Sequence, residues 1–202
     1  LTGSGCAAMM ALDLQRYTWY SGGKIGIGCR TVCFFPGKRQ ADFLAEGFVG
    51  YTASMELNHK ELTHMENSQA ELMLYGYAPL MVSAQCVYKN YASCIKERKN
   101  GSKSQPEHLY LNDRYQKQFE VSRNCTHCYN VIYNSQPTSL LHQAREIRGL
   151  AFGSYRIVFR NETEQELQYI LQQYTDAFVN GKENSSAKGG TFTNGHFRRG
   201  VD

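Results

Sequence analysis

This sequence predicts an α/β fold, and three observations predict it. From Gln40 to Phe178, β-branched and aromatic runs alternate with stretches of helical period. Two capping signatures, Asn58-His-Lys-Glu61 and Thr163-Glu-Gln-Glu166, mark helix starts among those strand-like runs. A polar stretch with four cysteines interrupts the alternation midway. Helices between strands imply a parallel sheet, and the interruption reads as an inserted β-hairpin cysteine module.

The elements follow in chain order. Residues 1–40 are poor in pattern and form a separate, poorly matched segment. Gly22, Gly23, Gly26 and Gly28 surround Ile25 and Ile27, but the spacing is not G-x-G-x-x-G, so a nucleotide loop is not expected. Cys29 and Cys33 have i, i+4 spacing that would suit a second site on a helix; isolated cysteines are the simpler reading. Residues 40–47 (QADFLAEG) predict a short helix, and 48–57 (FVGYTASMEL) a strand. Asn58 then caps a helix expected to reach about Asn67. Residues 70–77 (AELMLYGY) are the next strand. The segment 96–108, with Gly101 and Pro106, reads as a surface loop. Residues 108–122 read as a hairpin turning through Asn112–Lys117. Residues 142–150 predict a short helix stopped near Gly149, and 154–161 a strand. Leu167, Ile170, Leu171, Tyr174 and Phe178 then form the apolar face of a helix over about 163–179. Residues 180–190 read as a loop.

The 202 residues suffice for one domain with a sizeable core. A hydrophobic content of 42% without a long charge block excludes a disordered chain. The net charge of +4 permits an anionic partner such as RNA without arguing for one. No apolar run of about 18 residues exists, so no membrane span is expected. The chain starts at Leu1, and its first residues lack the form of a signal peptide, which suggests a piece of a longer protein. Seven cysteines cannot all pair, and without an export signal a reducing, cytoplasmic setting is expected.

In that setting clustered cysteines point to a metal. Cys86 and Cys94 form one pair, Cys125 and Cys128 a C-x-x-C. Four thiolates suit tetrahedral zinc or an iron–sulfur cluster. His127, between two of them, is expected as an outer donor. Buried, inert thiols are the alternative for the set and the better reading for Cys6.

Several stretches in one order are similar to the collagenase-like peptidases of family U-32, in their clostridial-type branch. They are YTASMELNHKEL, ELMLYGYAPLMVSAQC, NCTHCYNVIYNSQPTSL, YRIVFRNET and TNGHFRRGVD. The resemblance runs from about residue 40 to the end and does not include residues 1–39. It implies a partial TIM-like β/α barrel over 41–202, holding the later strands, with a metal-binding insert at about 86–133. Functional residues of such barrels lie at strand C-terminal ends. Glu56 is therefore an expected catalytic residue and Asn58 and Tyr75 expected substrate-binding ones. The resemblance of Gly195-His-Phe-Arg198 to the family's closing Gly-His-Phe motif adds His196 as catalytic and Arg198 as substrate-binding, with a surface tail beginning a further domain as the alternative. Family relatives that modify RNA or hydroxylate ubiquinone precursors carry a four-cysteine iron–sulfur cluster. The resemblance thus implies a 4Fe-4S cluster at Cys86, Cys94, Cys125 and Cys128, with zinc as the alternative. Cys86 and Cys94 have one more intervening residue than the family pattern.

Three functions compete. The family name implies peptide hydrolysis, yet the chain has no H-E-x-x-H, and Ser83, Ser93 and Ser139 lie outside any G-x-S-x-G. A cluster-dependent hydroxylase or RNA-modifying enzyme suits four thiolates, with Tyr129, Tyr133, Phe197, Arg198 and Arg199 available to meet nucleic acid. A non-catalytic zinc module is the third.

Overall fold

A computed structural model describes residues 18–21, 24–27, 33–34, 51–91, 94, 109–182 and 191–199. The chain divides into two compact units. Unit 1 comprises Leu1–Gly76 with Thr138–Asp202, and unit 2 comprises Tyr77–Pro137. The fold is mixed α/β, with parallel and antiparallel pairing.

In unit 1, the strands β1 (Thr18–Ser21), β2 (Lys24–Ile27), β3 (Cys33–Phe34), β4 (Tyr51–Ala53) and β5 (Ala70–Gly76) belong to one sheet. Unit 2 contributes the next four strands in sequence, β6 to β9. The chain then returns to the first sheet with β10 (Thr138–Ser139) and β11 (Ser154–Ile157). The order is β2-β1-β11-β5-β4-β3, with β10 also on β5. Strands β3, β4, β5 and β11 are mutually parallel where they pair; β1 joins β11 antiparallel. Among the described residues this sheet does not close into a barrel.

The predicted strands AELMLYGY and SYRIVFRN are thus neighbours in one parallel sheet, although β11 ends at Ile157 rather than Asn161. The expected MEL strand is not one. β4 stops at Ala53, and the chain turns through Leu57 N–H to Ser54 C=O at 3.3 Å. The helix 40–47 lies outside the described residues. β1 and β2 pair antiparallel, Ser21 opposite Lys24 and Trp19 opposite Gly26, which is not the strand-to-helix geometry of a phosphate loop; Gly22, Gly23 and Gly28 lie outside the described residues. Cys33 lies on β3, which removes the helical spacing considered for Cys29 and Cys33.

Both capping boxes form. Asn58 Oδ1 accepts from Glu61 N–H at 3.0 Å, and Glu61 Oε2 from Asn58 N–H at 2.8 Å, opening α1 (His59–Leu62). The expected run to Asn67 is cut short. Side chains take the carbonyls that a continuing helix would use: Thr63 Oγ1 donates to Lys60 C=O, and Asn67 Nδ2 to Leu62 C=O. Helix α3 (Ala144–Gly149) does not stop on a left-handed glycine; Ala151 takes φ 54° instead. Helix α4 (Glu164–Tyr174) is capped by Thr163 and continues as one π-helical turn, Thr175–Val179. Tyr174 and Ala177 are its buried residues, whereas Leu171, expected in the apolar face, is 41% exposed. Burial centres on the Tyr174/Ala177 side and leaves Leu171 at the edge of the stripe. The core gathers Leu57, Leu62, Leu72, Leu74, Ile147, Tyr174 and Phe197.

Unit 2 leaves and rejoins unit 1 at paired residues, because Gly76 lies opposite Thr138. Gly76 has φ +147°, and a Cβ there would sit 2.9 Å from both Val158 Cβ and Val158 O, so only glycine fits this exit. Unit 2 is a four-stranded antiparallel sheet, β6 (Pro79–Ser83), β9 (Tyr129–Tyr133), β8 (Gln118–Asn124) and β7 (Leu109–Asn112), in that order. It also contains α2 (Val87–Tyr91). The insertion is wider than the 86–133 expected, since it includes β6. The predicted hairpin is present as β7–β8. Asp113 Oδ1 closes its turn by accepting from Tyr115 N–H at 2.7 Å and Lys117 N–H at 2.9 Å.

Candidate metal centre and strand-end residues

The C-x-x-C occupies the loop between β8 and β9. Asn124 and Tyr129 are the last paired residues, so Cys125, Thr126, His127 and Cys128 form a four-residue turn. Asn124 holds it from both sides: its Oδ1 accepts from His127 N–H at 3.0 Å, and its Nδ2 donates to the Tyr129 hydroxyl at 3.0 Å. Cys128 turns the chain back with φ 57°, and its Sγ lies 3.8 Å from Cys125 O.

Antiparallel pairing sets the end of β6 beside this turn. Ser83 lies opposite Asn130, two residues past Cys128. Asn130, fully buried, donates Nδ2 to Gln85 C=O at 2.7 Å. Cys86 comes directly after Gln85, and its carbonyl accepts from Lys89 N–H at 3.1 Å as α2 begins. Cys86, Cys125 and Cys128 therefore stand at one end of one sheet. Cys94 follows α2 by three residues and is half-buried. None of the four is in a disulfide; Cys128 is exposed and the others are half-buried.

Cys86, Cys125 and Cys128 supply thiolates, the donors that zinc or a cluster takes, and strand register puts their backbones at one sheet end. Asn130 Oδ1 is buried at this end with no hydrogen-bond partner. Among the described residues, no three His, Cys, Asp or Glu side chains are grouped at metal-holding distance. His127 is fixed through its backbone N–H to Asn124.

In unit 1, Glu56 and Asn58 follow β4, Tyr75 lies within β5, and His196 and Arg198 lie in a turn; several of them have structural duties. Asn58 is consumed by its capping box. Tyr75 is buried, 3% exposed, and its hydroxyl donates to Glu162 Oε1 at 2.8 Å. Arg198 forms a two-pronged ion pair with Glu146 at 2.8 and 3.0 Å. Glu56 is exposed, and so is His196. His59 N–H donates to Phe197 C=O at 2.8 Å, and the rings of His59 and Phe197 meet edge-on at 5.4 Å. That bond ties the loop carrying Glu56 to the turn carrying His196. The turn starts at Gly195, whose φ of +56° suits glycine. Phe197 is 3% exposed, so its ring anchors this turn in the core while His196 and Arg198 stay exposed.

Sequence reasoning missed Glu162, whose Oε2 accepts from Arg160 N–H at 2.6 Å and Asn161 N–H at 3.1 Å. It also missed the Ser139–Tyr174 contact at 2.8 Å, where Tyr174 further donates to Leu74 C=O at 3.2 Å. Burial raises the Tyr174 phenol well above its ordinary value, so it stays protonated and donates. The Tyr75–Glu162 and Tyr174 pairings join residues far apart in sequence, and no local motif signals them. Comparison with protein-family models, with curated proteins and with solved structures found no match for this chain.

Proposed function

We propose that this chain is the later part of a U-32-like enzyme with a partial β/α barrel, and that unit 2 holds a metal through Cys86, Cys94, Cys125 and Cys128. The observation that carries the proposal is the convergence of the β6 exit and the β8–β9 turn at one sheet end, bringing three of the four cysteines there by backbone register. A second support is the poverty of the core in unit 2. Its 61 residues bury only Val121 and Val131 as hydrophobic side chains among those described, and domains so poorly filled usually need a metal or cross-links.

The group we propose is a 4Fe-4S cluster, with zinc as the alternative. When bound, a cluster supplies one-electron chemistry; zinc with four thiolates is closed and structural. The protein's own part is to hold the turn with Asn124 and the β6 exit with Asn130. The chemistry on a peptide or RNA substrate falls to residues of unit 1, with Glu56 and His196 as the proposed acid–base pair on loops joined through His59 and Phe197. The parallel order β3-β4-β5-β11, with α1 between β4 and β5, supports the barrel reading.

Anaerobic purification with iron, sulfide and zinc analysis tests the proposal. Iron with equimolar sulfide and a brown colour supports the cluster; stoichiometric zinc in a colourless protein supports the structural alternative. Protein that folds with neither, and takes up neither on reconstitution, refutes both.

A further inference from the structure

The turn at Cys125–Cys128 also has a chemistry that needs no metal. Its two thiols stand at the first and last positions of a four-residue loop closed by the Asn124–Tyr129 pair. A disulfide requires Cα atoms roughly 4.4–6.8 Å apart, and the ends of a four-residue turn lie within about 7 Å. Cys128 Sγ already lies 3.8 Å from the Cys125 carbonyl oxygen, so this sulfur is folded over the turn and not splayed from it. Asn124 holds the loop through His127 N–H and the Tyr129 hydroxyl, and linking the sulfurs removes neither of those two contacts. Exposure is unequal: Cys128 is exposed and Cys125 is half-buried. The other pair differs, since seven residues, including α2, separate Cys86 from Cys94.

We propose that Cys125 and Cys128 form a reversible dithiol–disulfide couple, with exposed Cys128 as the attacking thiol and Cys125 as the resolving one. The oxidant is a low-molecular-weight disulfide. The Cys128 thiolate attacks one of its sulfurs, the small S–S bond breaks, and one small thiol leaves. Cys125 then attacks Cys128 Sγ in the mixed disulfide, expelling the second small thiol as the intramolecular S–S bond forms. The protein loses two electrons and two protons, and the small disulfide gains both. Pairing withdraws two of the four proposed metal ligands, so disulfide and metal exclude each other. The couple itself does not rest on the metal reading.

The test uses the whole chain after chelation, equilibrated with graded mixtures of reduced and oxidised glutathione, quenched by alkylation and mapped by mass spectrometry. The expected product is a peptide containing Cys125 and Cys128, lighter by two hydrogen atoms and unalkylated at both, with the two thiols disappearing together. Cys125→Ser should trap glutathione on Cys128. Separate glutathione adducts on Cys125 and Cys128 without the cyclic form would overturn it, as would pairing of either with Cys86 or Cys94. Because the map is taken on chelated protein, a failure of metal binding leaves this readout unchanged. Absence of the cyclic form in a protein that does bind metal overturns the couple alone.

Discussion

Unit 1 and unit 2 are stabilised by different means. In unit 1, side chains from Tyr51 to Phe197 share one apolar cluster, and each fully buried Leu or Ile there contributes about 1.5–3 kcal/mol. In unit 2, Asn130 is as deeply buried as Val121, while Leu80, Met81 and Val82 of β6 are about half-exposed. Charge is also unevenly divided. Between Tyr77 and Pro137 there are eight Lys and Arg against four Asp and Glu, which equals the whole net charge of +4. Among the described residues, buried hydrophobic side chains are concentrated in unit 1 and sparse in unit 2. A ligand that binds only the folded form would stabilise unit 2 directly.

The largest expected effect follows. Chelation, or Cys125→Ser, should open β8 and β9 to hydrogen exchange by orders of magnitude while β5 and β11 keep their protection. Equal loss in both units would erase the distinction. Next comes a buried ion pair in unit 1. Arg156 pairs with Glu71, and Thr52 Oγ1 donates to the same carboxylate at 2.8 Å, with side chains only 8% and 12% exposed. Arg156→Ala strands a buried carboxylate and should cost about 3–5 kcal/mol in denaturant unfolding of unit 1. Arg156→Met combined with Glu71→Leu should recover most of it, and neither variant should change metal content. Gly76→Ala should cost about 1–3 kcal/mol, because alanine must adopt φ near +147° and displace Val158.

These predictions differ in how far they were legible beforehand. The capping boxes were legible because both partners lie three residues apart, and the two central parallel strands because their apolar runs are long. The β7–β8 hairpin was legible from its polar turn. The early end of α1 was not, since Asn67 ends it with help from Leu150 C=O, 83 residues away. Tyr75 read as a pocket residue because the strand was expected to end before it and its partner Glu162 was not visible; it lies within β5. The two cysteine pairs were visible in the sequence; the strand register that brings Cys86 to the C-x-x-C turn was not.

Smaller effects sharpen the picture of unit 1. Thr163→Ala removes the α4 cap and should cost about 1 kcal/mol, read by thermal unfolding. Asp176 is held at about 2, below its ordinary 3.8, chiefly by the Asn180 amide and then by Lys182. A depressed carboxyl contributes stability above its unfolded value and loses it as pH falls through the folded one. The end of the π-helical turn should therefore loosen between pH 3.8 and about 2, seen in the Asn180 amide resonance, and Asp176→Asn should abolish that titration.

X-ray absorption at the edge of whichever metal co-purifies tests the central claim most directly. The account predicts sulfur neighbours at about 2.3 Å, four for zinc, and loss of that shell in Cys86→Ser as well as Cys128→Ser. A nitrogen or oxygen shell, or a sulfur shell indifferent to Cys86, would contradict it.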